Sequence, residues 1–377
     1  MYPMLSATGT EQRELVATVR AVLTESAEPL QVPWDAIDDG IDRSLWGLLA
    51  KLGLIGLGVT EDRGGSGGGL RELCLVAEQL GGVLGRVPFV GSAAVLAADP
   101  PDAASIADGS VIAVPAWETF LCLPRRHDGL TRSGTTVEGT LQAVAFGMDA
   151  DLLLAFAGES AVLVDLAQPG VFRQPVSAFD VTEPVAAMSL SFVQATVIEV
   201  IEPEAFLARG LTVAAAELIG TGQRALSGAV DYAKQRHQFG RAIGSFQAIK
   251  HLLADRYVQL EAAALLVDSA ITAVDDVLPD ALVAARTALV AATEAAHAAA
   301  ADALQVHGGI GFTWEHPSHL FLKRTRSRRS LFGSPDEQLA MLAAHIFEPS
   351  AQPHPLPLAA AVAEAPSRIM SSDLHRL

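Results

Sequence analysis

Two runs in the C-terminal half hold side chains suited to gripping a phosphorylated ligand. The first is Arg236-His237-Gln238-Phe239-Gly240-Arg241-Ala242-Ile243-Gly244-Ser245-Phe246-Gln247. The second is Gln305-Val306-His307-Gly308-Gly309-Ile310-Gly311-Phe312, with Glu315 and Pro317 after it. A guanidinium such as that of Arg236 makes paired, charge-assisted hydrogen bonds to phosphate oxygens. Gln247 and Gln305 bring amide donors and acceptors. Gly308, Gly309 and Gly311 let backbone approach a ligand where a helix ends. Each has a plainer reading when taken alone: Gly308-Gly309 as a helix cap, Arg236 as a solvated helix residue, Phe246 as core. Only the combination points to a bound cofactor.

Other candidates carry less. Gly64-Gly65-Ser66-Gly67-Gly68-Gly69 could cradle phosphate, but no GK[ST] follows and no βαβ pattern flanks it, so it reads as a connecting loop. The basic run Lys323-Arg324-Thr325-Arg326-Ser327-Arg328-Arg329 reads first as a solvated or inter-subunit face. His307 and His316 lack partners at metal-ligand spacing, so no metal is expected. Ser334-Pro335-Asp336-Glu337 spells a capping box with proline at the first helical position, which accounts for Glu337. Cys74 and Cys122 form no CxxC pair and read as packing thiols of a cytoplasmic protein.

Long helices must position the two runs. Leu211, Ala215, Leu218, Gly222, Leu226 and Val230 mark one helical face leading to Arg236. Phe246, Ile249, Leu253, Tyr257, Leu260, Ala264, Val267 and Ile271 mark another. The alanine-rich stretch Asp280 to His307 reads as a central bundle helix, because small residues let neighbours approach closely. Helical periodicity also holds through Leu15–Leu23 and Leu45–Leu52. Between them, Val111–Val114, Ala143–Phe146, Leu152–Phe156, Ala161–Leu166, Met188–Phe192 and Thr196–Val200 read as strands of an antiparallel β-domain. The fold class is therefore α+β: an N-terminal helical domain (1–104), a middle antiparallel β-domain (105–201), a C-terminal helical bundle (202–348) and a Pro-rich tail (349–377). A net charge of −17 argues against nucleic acid as a partner. Met1–Thr10 has no signal-peptide pattern, and no apolar run reaches about eighteen residues, so no membrane span is expected.

The two runs, with Leu45-Trp46, Lys51-Leu52-Gly53-Leu54, Gly64-Gly65-Ser66-Gly67 and Glu78-Gln79-Leu80-Gly81, resemble the acyl-CoA dehydrogenase family to about residue 347. The resemblance implies a C-terminal four-helix bundle, assembly as a dimer of dimers, and FAD lying across a subunit boundary. It assigns the ADP end of FAD to Arg236, Phe239, Gln247, Gln305, Val306, His307, Gly308 and Gly309. It also implies oxidation of an acyl-CoA to the 2,3-enoyl product, with electrons passed to an electron-transfer flavoprotein.

That reaction needs a carboxylate base. The two positions the family uses for it correspond here to Phe332 and Gly210, and neither can take a proton. The family's flavin-ring loop is also missing around Val114-Pro115-Ala116-Trp117-Glu118. This selective loss resembles the partner subunits of heteromeric dehydrogenases in actinobacterial steroid and lipid breakdown. The expectation is a subunit without a catalytic base that lends the ADP half of the FAD site to a second dehydrogenase subunit. One alternative is a self-sufficient homo-oligomer with Glu217 as a displaced base, its pKa raised by burial. Another is a non-enzymatic structural homolog.

Overall fold

Caps and apolar spacing lay down the first helices. In the computed structural model, residues 4–26, 40–121, 129–158, 160–198 and 202–347 are described, so Cys122 and the Pro-rich tail lie outside the described residues. Helix α1 (Thr10–Ser26) buries Val16, Val19 and Leu23. Helix α2 (Arg43–Lys51) starts where the Asp42 side chain accepts the Leu45 N–H at 2.9 Å. The glycine-rich loop serves as a connection, with Gly64 and Gly67 at positive φ. It feeds α3 (Leu70–Gly82), which is buried along most of its length, followed by α4 (Phe89–Ala97) and α5 (Ala103–Ala107). Buried Glu78 on α3 accepts the Met4 N–H at 2.7 Å, tying the N-terminal chain down.

The middle region holds β1 (Ala113–Pro115), α6 (Trp117–Leu121), β2 (Leu130–Ser133), β3 (Thr136–Ala145), β4 (Leu152–Ala157), β5 (Ser160–Asp165), β6 (Val171–Val176) and β7 (Val185–Ile198). The strands run in the order β1-β4-β5-β7-β3-β2, with β6 also paired to β7. The sheet is mixed, which corrects the antiparallel expectation: β1 runs parallel to β4, with Ala113 opposite Leu152. The chain leaves β1 through α6 and the β2–β3 hairpin before β4, a crossover rather than a tight turn. Met188–Phe192 and the start of Thr196–Val200 belong to one strand, β7, which carries a positive φ at Phe192. Its first part pairs with β3 and β6 and its last part with β5.

Among the described residues five α-helices follow: α7 (Pro203–Gln235), α8 (Gln247–Asp275), α9 (Ala281–His307), α10 (Ser318–Leu331) and α11 (Pro335–Phe347). The alanine-rich α9 touches α7, α8, α10 and α11, so it is the bundle's centre. Helix α11 starts at the expected capping box: Ser334 N–H donates to Glu337 Oε2 at 2.8 Å, and Glu337 N–H returns to Ser334 Oγ at 3.2 Å. Among the described residues only α8 is long and apolar enough to cross a membrane by composition; here it packs against α7 and α9.

Helix α7 is approached at glycines from two sides. A Cβ on Gly220 would overlap the Glu78 carbonyl of α3, and one on Gly81 would overlap the Glu217 carbonyl of α7. A Cβ on Gly222 would lie 2.8 Å from Ala296 Cα on α9. Gly220→Ala should therefore cost about 1–3 kcal/mol by overpacking. Urea denaturation reads this as a lower midpoint; an unchanged midpoint would mean that the helices part freely.

Candidate cofactor face and the vacated base positions

The end of α7 builds the first part of an exposed polar face. Arg236 keeps its N–H on the Tyr232 carbonyl at 2.8 Å, and its own carbonyl accepts the Ile243 N–H at 2.8 Å. Between them, β8 (His237–Gln238) and β9 (Arg241–Ala242) form a hairpin with Phe239 and Gly240 at its tip, both at positive φ. Phe239 is 91% exposed and meets Phe246 edge-on, while the Arg241 guanidinium sits 4.0 Å from the Phe246 ring centre. Arg236 and Gln247 are exposed, and among the described residues Arg236 has no ion-pair partner.

The end of α9 supplies the rest. Gln305 and Gly309 are exposed, and a Cβ on Gly308 or Gly309 would meet nothing within 4 Å, so bare backbone faces outward. The side chains of Val306 and His307 behave otherwise. They are 8% and 5% exposed, so as cofactor contacts they can offer only backbone. The alternation is helical: Gln305 lies on the outer face of α9, and its two successors turn toward the bundle. The His307 ring stacks between Tyr232, 4.6 Å away, and His316, 4.2 Å away. The Tyr232 contact packs the end of α7 against the end of α9. The cation, amides and open backbone of this face fit a phosphate-bearing ligand.

The two positions that the resemblance assigns to a base converge on one ring. Phe332 lies just beyond α10, with its ring edge-on to Trp117 at 5.1 Å. Gly210 lies on α7, where a Cβ would overlap the Trp117 indole. Phe206 lies 5.9 Å from Trp117, Phe120 stacks on Phe206 at 4.4 Å, and Phe156 meets Phe120 edge-on at 5.0 Å. Trp117, Phe120, Phe206 and Phe332 are all buried. Ring pairs of this kind add about 0.5–1.5 kcal/mol each beyond area burial. The space is thus filled by groups that exchange no protons.

Glu217 is engaged elsewhere. Its Oε1 accepts from Arg324 Nη1 at 2.8 Å, and its Oε2 lies 2.6 Å from Arg328 Nη2. Arg324 also reaches Asp180 at 2.8 Å and the Thr182 carbonyl at 2.9 Å, and Arg328 pairs with Glu183 at 2.6 Å. Burial opposes the charge on Arg324, yet the three carboxylates Asp180, Glu217 and Glu183 hold its pKa above the ordinary value. Burial pushes the Glu183 carboxyl up despite Arg328 and Arg324. Both carboxylate oxygens of Glu217 are thus taken up by guanidiniums. The basic run is therefore no uniform surface: Arg324 and Arg328, one turn apart, face inward, while Lys323 lies 4.5 Å from the Trp314 ring centre and Arg329 pairs with Glu294 at 2.7 Å. The sequence reading missed Trp117, Tyr232, Asp180 and Glu183. The signal for the arginines was their four-residue spacing, but their acidic partners lie far off in the chain, Asp180 and Glu183 in a loop and Glu217 on α7.

The order of helices, mixed sheet and helical bundle is that of acyl-CoA dehydrogenases. Residues 9–101 match the acyl-CoA dehydrogenase N-terminal domain, and residues 204–347 match the acyl-CoA dehydrogenase C-terminal domain. The chain is 35% identical over 348 residues to acyl-CoA dehydrogenase IpdE2 of Mycobacterium tuberculosis, covering 90% of this chain and 98% of that one. It is similar to a solved structure described as the Tcur3481-Tcur3483 steroid ACAD G363A variant, with a TM-score of 0.81, 26% identity, and coverage of 93% and 99%. It is also similar to a chain of the ChsE4-ChsE5 complex of Mycobacterium tuberculosis, with a TM-score of 0.81, 25% identity, and coverage of 92% and 99%. The chain belongs to the acyl-CoA dehydrogenase family.

Glu217→Gln should destabilise the fold by about 3–5 kcal/mol, because two buried guanidiniums lose a shared anion. A denaturation midpoint equal to that of the parent would refute the structural role of this carboxylate.

Proposed function

We propose that this chain is the non-catalytic subunit of a heteromeric, flavin-dependent acyl-CoA dehydrogenase working in the cytoplasm. The observation that carries this reading is Trp117, whose ring takes the space beside Gly210 and packs on Phe332. When bound, FAD would supply the hydride acceptor for oxidation of an acyl-CoA to its 2,3-enoyl thioester. This chain's part is to bind and orient. Arg236 pairs with the pyrophosphate, Gln247 and Gln305 hydrogen-bond the ADP end, Gly308 and Gly309 offer backbone, and Phe239 covers the site from the hairpin tip. A second dehydrogenase subunit would hold the thioester, and an electron-transfer flavoprotein would take the electrons. The similarity to structures described by paired chain names supports such pairing. A steroid or lipid acyl-CoA is the substrate class that those names favour.

The self-sufficient reading loses its candidate because Glu217 is held by Arg324 and Arg328. The purely structural homolog leaves the exposed Arg236, Gln247 and Gln305 without a task.

Co-expression with the second subunit should give half as many flavins as chains, counted by absorbance. Arg236→Ala should weaken FAD retention in that complex by on the order of tenfold to a hundredfold, the worth of hydrogen bonds to a charged group. Stoichiometric FAD with turnover in the chain purified alone would overturn the proposal. Gly210→Glu should restore no turnover and should lower stability, since the new side chain meets the Trp117 ring. Activity gained by that variant would show an open acyl pocket that merely lacks its base.

A further inference from the structure

We infer that Tyr232, His307 and His316, bridged by the Ser318 hydroxyl, form a ring column that holds the Gln305–Gly309 turn beside Arg236 only while both imidazoles are uncharged. The inference rests on the cofactor reading proposed above and deepens it by naming what positions that face.

The geometry fixes the protons. Ser318 Oγ lies 2.7 Å from His316 Nδ1 and 3.2 Å from His307 Nδ1, and Ser318 N–H points at His316 Nδ1 from 3.2 Å. His307 Nδ1 lies 2.7 Å from the Ala303 carbonyl, which can only accept, so His307 carries its proton there. Two donors from Ser318 meet His316 Nδ1, so that nitrogen must accept and its proton sits on Nε2. Protonating His316 at Nδ1 would set its N–H against the Ser318 backbone N–H, 3.2 Å away. It would also place a cation against a ring 4.2 Å away that has no acidic partner among the described residues.

The column is wired to the cofactor face at both ends. His307 lies between Gln305 and Gly309 in the chain, and the Tyr232 carbonyl caps the Arg236 N–H at 2.8 Å. A shift of either ring therefore moves ligand-facing groups. The groups around it are Tyr232 from α7, Ser318, His319 and Lys323 from α10, and Trp314 and Glu315 from the preceding loop; Lys323 adds positive charge near His319. Burial lowers the pKa of both imidazoles, and His307 lowers that of His316 further. Since both folded-state values lie below 6.5, the unfolded chain binds more protons under acid. The column's contribution is present above 6.5 and is lost as pH falls from there through the folded-state values.

The test is FAD binding by the complex of this chain with the second subunit, read by flavin fluorescence at about pH 8 and about pH 5.5, conditions that bracket the ordinary histidine pKa. FAD is the right probe because its pyrophosphate diester does not titrate in this range. Wild type should bind FAD more weakly at the lower pH, by up to about tenfold for each proton taken up. His316→Gln keeps an acceptor for Ser318 but cannot titrate, so its affinity should be nearly flat with pH. Wild-type pH dependence persisting in His316→Gln overturns the column. Arg236→Ala separates the two ideas: if it binds as tightly as wild type, the cofactor reading fails. If the wild-type complex binds no FAD at either pH, that reading fails as well, and the histidine proton resonances then decide the column by themselves. Independent titration of His307 and His316 at ordinary values would end it.

Discussion

Helix α7 is crowded so closely that several of its positions tolerate no side chain, and most of the molecule is arranged around that constraint. Trp117 presses on Gly210, the Glu78 carbonyl on Gly220, and Ala296 on Gly222. The first contact comes from the middle region, the second from the N-terminal helices, and the third from the bundle. One helix thus sets the spacing of all three parts. Close approach of backbones forgoes side-chain area but gains dense packing, which is where dispersion attraction accumulates.

The same helix carries the charge that joins these parts. Glu217, midway along it, lies between Arg324 and Arg328 of α10, which also hold Asp180 and Glu183 from the loop between β6 and β7. A buried cluster of this sort adds little net stability over a well-packed apolar one, because desolvation offsets attraction. What it does impose is direction: a guanidinium pairs with carboxylates in few orientations, so the loop can dock on α10 in one way. Ion pairs set orientation here, and rings and alanines fill the volume.

Two regions share the vocabulary of a flavoenzyme subunit but differ in fate. At the ends of α7 and α9 Arg236, Gln247 and Gln305 are exposed. Around Gly210 and Phe332 five aromatic rings close on one another. Filling a vacated pocket with rings removes the cost of a cavity, which grows with its volume.

The helices, the alanine-rich centre of the bundle and the capping box at Ser334 were legible because their signals are local: periodicity, small residues and side chains that reach their own backbone. The outward set of Arg236, Gln247 and Gln305 was also legible, since its motifs are contiguous. Sequence by itself thus determined the order of elements and the family. Only the tertiary structure decided that β1 lies parallel to β4, that Val306 and His307 turn inward, and that Arg324 and Arg328 are interior. It alone showed that Trp117 occupies the space beside Gly210. Each of these depends on groups far apart in the chain, and pairing over such distances is set by packing and charge in three dimensions, which spacing along a strand or helix does not encode.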